Sequence, residues 1–180
     1  MASFSISTNK PTASIKPNTN PMVITLFLNF FTAENGTQQI GFSAHSPGKI
    51  IPFKLDGTNT IIGQKNAFLA AEDSVEIEIF FKNQLGTGIF GGEGFIIQKF
   101  SGEGIVFLEI DGEVIEHELQ EGETLLLDPG HLAAMEETVG YEIERVKGAK
   151  NILFGEGLFF ARIQGPGKVW IQTMPISKLA

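Results

Sequence analysis

Residues 86–91, Gly86-Thr87-Gly88-Ile89-Phe90-Gly91, spell G-x-G-x-x-G, and Asp111 follows about twenty residues further on. That is the spacing of a dinucleotide-binding loop. Its mechanism needs a helix to begin at the loop, so that free amide N–H groups point at a pyrophosphate. Here the loop runs into Gly92 and Gly94, an apolar strand-like stretch at 95–100, then Gly102 and Gly104. No helix starts in such a segment, so these glycines are read as turn residues and no cofactor is expected.

The histidines are the next candidates for chemistry. The run 122–131, Gly-Glu-Thr-Leu-Leu-Leu-Asp-Pro-Gly-His, has the cadence of a cupin metal site. Such a centre needs a His-x-His pair, a carboxylate and a distant third histidine, whereas His45, His117 and His131 are scattered. His117 shares a strand face with Ile115 and Leu119 and reads as a packed or interface histidine. His131 follows Asp128-Pro129-Gly130, where a turn closed by a side-chain hydrogen bond accounts for it. No metal is expected.

Nucleophilic chemistry has less support still. The chain holds no cysteine, which excludes thiolate catalysis and disulfides and fits a reducing compartment. It holds no Gly-x-Ser-x-Gly elbow, and no Ser/His/Asp trio stands out. The carboxylates between Glu103 and Glu144 fall mostly on the polar face of strands, away from any apolar pocket that would raise a pKa. The sequence reads as that of a non-enzyme.

The elements that carry these residues are strands. The 180 residues suit one domain, and 21 glycines with 16 phenylalanines suit many short strands joined by tight turns. Val75, Ile77, Ile79 and Phe81 alternate with Glu76, Glu78 and Lys82, the period-2 pattern of a half-buried strand. Residues 1–21 are rich in Ser, Thr, Asn and Pro and are expected to form a flexible tail, with 22–180 a single all-β domain. The longest apolar run, 22–31, is interrupted by Thr25 and Asn29 and lacks a basic flank. No membrane insertion is therefore expected, and the protein is read as cytoplasmic.

Self-similarity organises that domain. Residues 92–110 reappear as 155–173 at an offset of 63, and 68–79 reappear as 132–143 at an offset of 64. Residues 47–57 also match 103–112 through their Asp-Gly ends. The spacing predicts units at about 23–83 and 90–147 with a partial third at 154–176, each a set of antiparallel hairpins broken by glycine turns. Repeated hairpins bury their faces by stacking or by closing into a sandwich or barrel. A partial unit leaves a sheet edge open, which self-association covers most simply.

Charge is polarised along the chain, whose net charge is −8. Thirteen acidic residues and no Lys or Arg lie between Ser101 and Glu144. Arg145, Lys147, Lys150, Arg162, Lys168 and Lys178 then face only Glu156. Such patches could meet head-to-tail between protomers and fix their orientation. The basic group is too modest, beside so acidic a middle, to hold a phosphate backbone, so nucleic acid is not expected as a partner.

Several pieces carry a family resemblance. They are Phe68-Leu69-Ala70, Asp128-Pro129-Gly130-His131-Leu132, the run from Tyr141 to Val146, and Gly165-Pro166-Gly167 through Trp170-Ile171-Gln172-Thr173. From about Val23 to Pro175 the chain resembles the family named after altered inheritance of mitochondria protein 24. The resemblance implies a fold similar to the tryptophan RNA-binding attenuation protein, in tandem copies, with subunits forming trimeric rings. It implies no activity.

The reading is thus a tandem-repeat antiparallel β-sandwich or barrel acting as a homo-oligomeric scaffold, a trimer, with room for an unidentified protein partner. Its competitor is a small-molecule-binding β module, with Gly-rich loops at 91–94, 101–104 and 155–157 lining a site. Candidate ligand or interface positions are His117, Asp128, His131, Arg145, Arg162 and Trp170.

Overall fold

The structure, a computed structural model, describes residues 2–7, 31, 37–83, 95–145 and 159–175. For 2–7, 37–38, 81–83, 95 and 145 it describes the backbone alone. The G-x-G-x-x-G segment at 86–91 and the loops at 91–94 and 155–157 lie outside the described residues.

Thirteen strands make the described fold all-β, as the alternation predicts. Among the described residues no helix is long and apolar enough to cross a membrane. Residues 1–43 form one compact unit, in which β1 (Ala2–Ser7) pairs antiparallel with β2 (Thr37–Phe42) from Ala2↔Phe42 to Ser7↔Thr37. β1 arises in the stretch expected to be a tail. Its sequence Ser3-Phe4-Ser5-Ile6 alternates polar and apolar residues, which suits a paired strand despite the composition around it.

Residues 44–180 form the second unit, built around β7 (Phe95–Asp111), a strand of 17 residues. The glycine turn expected within it is a bend in one continuous strand: Gly102 sits at φ +96° and lets the chain swing from one sheet into the next. Residues 95–102 lie between β4 (Ile61–Gln64) and β6 (Val75–Asn83), with Ile61↔Phe100 and Val75↔Gly102. Residues 103–111 lie between β3 (Gly48–Asp56) and β5 (Phe68–Ala71), with Leu55↔Gly104 and Ala71↔Val106.

The same pairings occur a second time. β12 (Phe159–Gln164) lies between β9 (Thr124–Leu127) and β11 (Gly140–Arg145). β13 (Gly167–Gln172) lies between β8 (Val114–Leu119) and β10 (Leu132–Glu136), with Gly167↔Leu119 and Met135↔Val169. A register shift between Phe68 and Ala70 in β5 is matched by one between Leu132 and Ala134 in β10. Glu72 Oε2 accepts from Ile105 N at 2.9 Å, and Glu136 Oε2 accepts from Lys168 N at 2.9 Å. A 3-10 turn precedes β5 (Lys65–Ala67) and another precedes β10 (Pro129–His131).

The two sets meet at one ladder. β4 pairs with β10 through Gly63↔Ala134, Ile62↔Met135 and Ile61↔Glu136. Two apolar cores lie on either side of it. The first is built on Phe53, Leu55, Phe100, Val106, Leu108 and Ile110. The second centres on Leu119, Leu132, Val139, Ala161, Ile163 and Val169. Alternation splits the ladder between them: Ile61 and Ala134 enter the first core, Ile62 and Met135 the second. Both faces of β4 and β10 are therefore buried.

Candidate functional site

The candidate residues do not converge. His117 stands on edge strand β8 with its ring about half exposed and Nε2 3.5 Å from Glu123 Oε1, so it is not packed. Trp170 is buried, its ring edge-to-face against Phe53 at 4.8 Å between centroids, with the Lys168 ammonium 5.9 Å from the indole. Arg162 donates to Glu144 Oε1 at 2.9 Å across β12 and β11. Arg145 ends β11 opposite Phe159, and its side chain lies outside the described residues.

Asp128 and His131 are tied into internal hydrogen bonds. Asp128 Oδ1 accepts from Gly130 N at 3.0 Å and its carbonyl accepts from His131 N at 2.9 Å, which caps the 3-10 turn. His131 Nδ1 lies 2.8 Å from the Gln172 carbonyl oxygen. Two glutamines that sequence reasoning passed over hold this turn in place. Gln64 Nε2 donates to the Pro129 carbonyl at 2.7 Å, and Gln172 Nε2 donates to the Gly130 carbonyl at 2.7 Å. Gln172 Oε1 also accepts from Asp111 N at 3.1 Å. A lone glutamine inside an apolar strand carries no spacing signal, because its partners come from other strands.

Gln172 is only 5% exposed. Truncating it to alanine removes the partner of a buried carbonyl and of an amide, at about 1–3 kcal/mol for each orphaned group. Urea unfolding of Gln172→Ala is expected to show that loss without any change in secondary structure at 25 °C. A stability within about 0.5 kcal/mol of the parent, the range of an ordinary surface substitution, would mean that water replaces the side chain there.

Electrostatics is local. Lys99 Nζ lies 2.5 Å from Glu137 Oε1, and this hydrogen bond raises the lysine pKa and lowers that of the carboxyl. Lys168 Nζ lies 3.9 Å from Glu116 Oε2, and Lys49 pairs with Glu113. Arg162 and Lys168, two of the basic residues expected to meet an acidic patch on another protomer, thus have acidic neighbours within the chain. Burial pushes the Tyr141 hydroxyl pKa up. Tyr141 lines, with Gly140, Glu142, Arg162 and Gln164, a small depression that is open to solvent.

What does stand out is two strand edges. β5 pairs with β7 on one side, and β9 pairs with β12 on one side. Among the described residues neither has a ladder on its other side. β9 carries Leu125-Leu126-Leu127, and Leu126 is 54% exposed. An unpaired edge bearing apolar residues is a template for another strand.

The fold has a solved counterpart in the crystal structure of protein SPYM3_0169 from Streptococcus pyogenes, with a TM-score of 0.67 and 23% identity. The match covers 81% of this chain and 63% of that one, so this chain spans under two thirds of its length. At that identity the likeness is one of fold. No curated protein matches the chain. The family model described as mitochondrial biogenesis AIM24 matches residues 22–174, and the chain belongs to that family.

Proposed function

We propose that this protein is a non-enzymatic scaffold that assembles with copies of itself through strand edges. The observation that carries the reading is β9, a leucine strand with no ladder on one side among the described residues, whose Leu126 is exposed while Leu125 and Leu127 pack against the second core. We read residues 48–111 and 114–172 as two copies of one unit, since every ladder of the first has a counterpart in the second. Drawn along the ladders, the boundary falls between β7 and β8. The division at 23–83, 90–147 and 154–176 comes from treating the Gly102 bend as a turn. The reading extends to a trimeric ring, to a fold like that of the tryptophan RNA-binding attenuation protein, and to a cytoplasmic setting.

The small-molecule alternative has one observation in its favour, the depression beside Tyr141 and Arg162. Asp128 and His131, its expected polar contacts, are engaged in holding the 3-10 turn. Native mass spectrometry of gently purified protein separates the two readings. A multiple of the 19.6 kDa chain with no added mass is the expected result. Added mass of roughly a few hundred daltons per subunit, the size of a pocket ligand, would favour the alternative. A bare monomer at micromolar concentration would overturn the scaffold reading.

A further inference from the structure

The two halves of the chain are alike in their ladders but not in their burial. β4 is covered on both faces, with Ile61 5% and Ile62 0% exposed, because β10 lies beside it. Moving 64 residues along, the equivalent positions in β9 are Leu125 and Leu126. Their cross-strand partners are matched by the 63-residue repeat of 92–110 in 155–173: Ile62 faces Lys99 of β7 as Leu126 faces Arg162 of β12. Leu126 is 54% exposed where Ile62 is sealed. The converse holds for the other member of the ladder. Ala134 and Met135 of β10 are fully buried, whereas their equivalents in β5, Ala70 and Ala71, are only partly covered.

Other open edges do not show this difference. Among the described residues β3 and β8 each pair on one side, and so do β6 and β11, so each has a counterpart in the same condition. Among the described residues only β5 and β9 lack a neighbour that their counterparts possess. The neighbour that each lacks is the other kind of strand: β9 lacks what β10 gives to β4, and β5 lacks what β4 gives to β10.

We infer that β9 of one protomer pairs antiparallel with β5 of a second copy, in the register Leu127↔Ala70, Leu126↔Ala71 and Leu125↔Glu72. This inference rests on the homo-oligomeric reading and specifies its interface. The register is that of Gly63↔Ala134, Ile62↔Met135 and Ile61↔Glu136 shifted by 64 residues. The faces agree as well. Met135 lies in the core of its own half, and Ile62 crosses the ladder to join it there. Ala71 already packs against the core of its own half, so Leu126 of the second copy would cross to the same core. Glu72 fits the scheme too, since its carboxylate holds Ile105 N as that of Glu136 holds Lys168 N. The contact is head-to-tail, a donor edge in one half of the chain and an acceptor edge in the other. Such a contact closes a ring when the rotation permits.

The chain contains no cysteine, so a disulfide trap reads this register without background. Opposed residues in an antiparallel pair have Cα atoms about 4.5–5.5 Å apart, within the reach of a disulfide. Under mild oxidation the double variant Ala71→Cys/Leu126→Cys is expected to give covalent multimers up to the size that native mass spectrometry finds. The singles, mixed in equal amounts, are expected to stop at dimers. The control pair Ala71→Cys/Leu125→Cys shifts the register by one residue and points the thiols to opposite faces. It is expected to cross-link at least tenfold more slowly. Hydrogen exchange on the unaltered protein supplies a readout independent of folding in the variants. Peptides covering 68–71 and 124–127 should exchange as slowly as those covering 61–64 and 132–136. An oligomer whose 71/126 pair cross-links no faster than the control, or whose β5 and β9 amides exchange fast, would overturn this interface and leave the scaffold reading standing. A monomer would overturn both.

Discussion

Replacing Trp170 by alanine is expected to lower the free energy of unfolding by about 3–5 kcal/mol, the range for deleting a buried aromatic. The indole is 7% exposed and sits perpendicular to the Phe53 ring at 4.8 Å, an edge-to-face arrangement that adds about 0.5–1.5 kcal/mol to simple area burial. Its backbone lies in the middle of β13, between Glu116 of β8 and Ala134 of β10, so the surrounding sheet has little room to collapse into the cavity. Trp170→Phe should lose much less, since it keeps a ring against Phe53. Because Trp170 is the only tryptophan, unfolding has to be followed by far-ultraviolet circular dichroism rather than indole fluorescence. Measurements belong at one fixed protein concentration, since the proposed assembly would make stability concentration-dependent. A double-mutant cycle with Phe53→Ala isolates the ring pair, and a coupling near zero would show that the two rings are energetically independent. A loss below about 1 kcal/mol for Trp170→Ala would contradict a core role outright.

That Trp170, a core residue of this chain, stood among candidate ligand or interface positions shows where sequence patterning stops. β13 is buried or half-buried at every residue, so its alternation vanishes and nothing separates a core aromatic from an exposed one. β6 is the opposite case. Val75 and Ile77 turn inward against Glu76 and Glu78 as the period-2 pattern predicts, because one face meets the core and the other meets water. His117 shows a third limit. Ile115, His117 and Leu119 share a strand face, yet Leu119 is buried while Ile115 and His117 are exposed, because this face of edge strand β8 meets the second core only at its Leu119 end. The all-β class was legible because alternation is local. The β4–β10 ladder, the Gln172 tie and the identity of β5 and β9 as open edges were not, because each depends on which distant strands become neighbours.

Gly102 joins these threads, since the sequence marks it as a turn and the structure makes it a bend. Substituting alanine there is expected to destabilise the protein by about 2–4 kcal/mol, from two separable causes. The first is backbone strain: φ is +96°, a region L side chains rarely adopt. The second is contact, because an added Cβ would stand 2.5 Å from the Ser74 carbonyl oxygen, a backbone atom that cannot rotate away. Gly57 separates them. It too has positive φ, +85°, but nothing lies within 4 Å of its Cβ position, so Gly57→Ala should show the strain of about 1 kcal/mol alone. The difference between the two variants in urea unfolding is therefore the cost of moving β6 off β7 at Val75↔Gly102. That junction is where residues 95–102 leave one sheet and 103–111 enter another, so its loosening should reach both cores. If Gly102→Ala proved no worse than Gly57→Ala, the Ser74 segment would have to yield freely. The long strand would then owe its course to its four neighbouring strands rather than to the glycine.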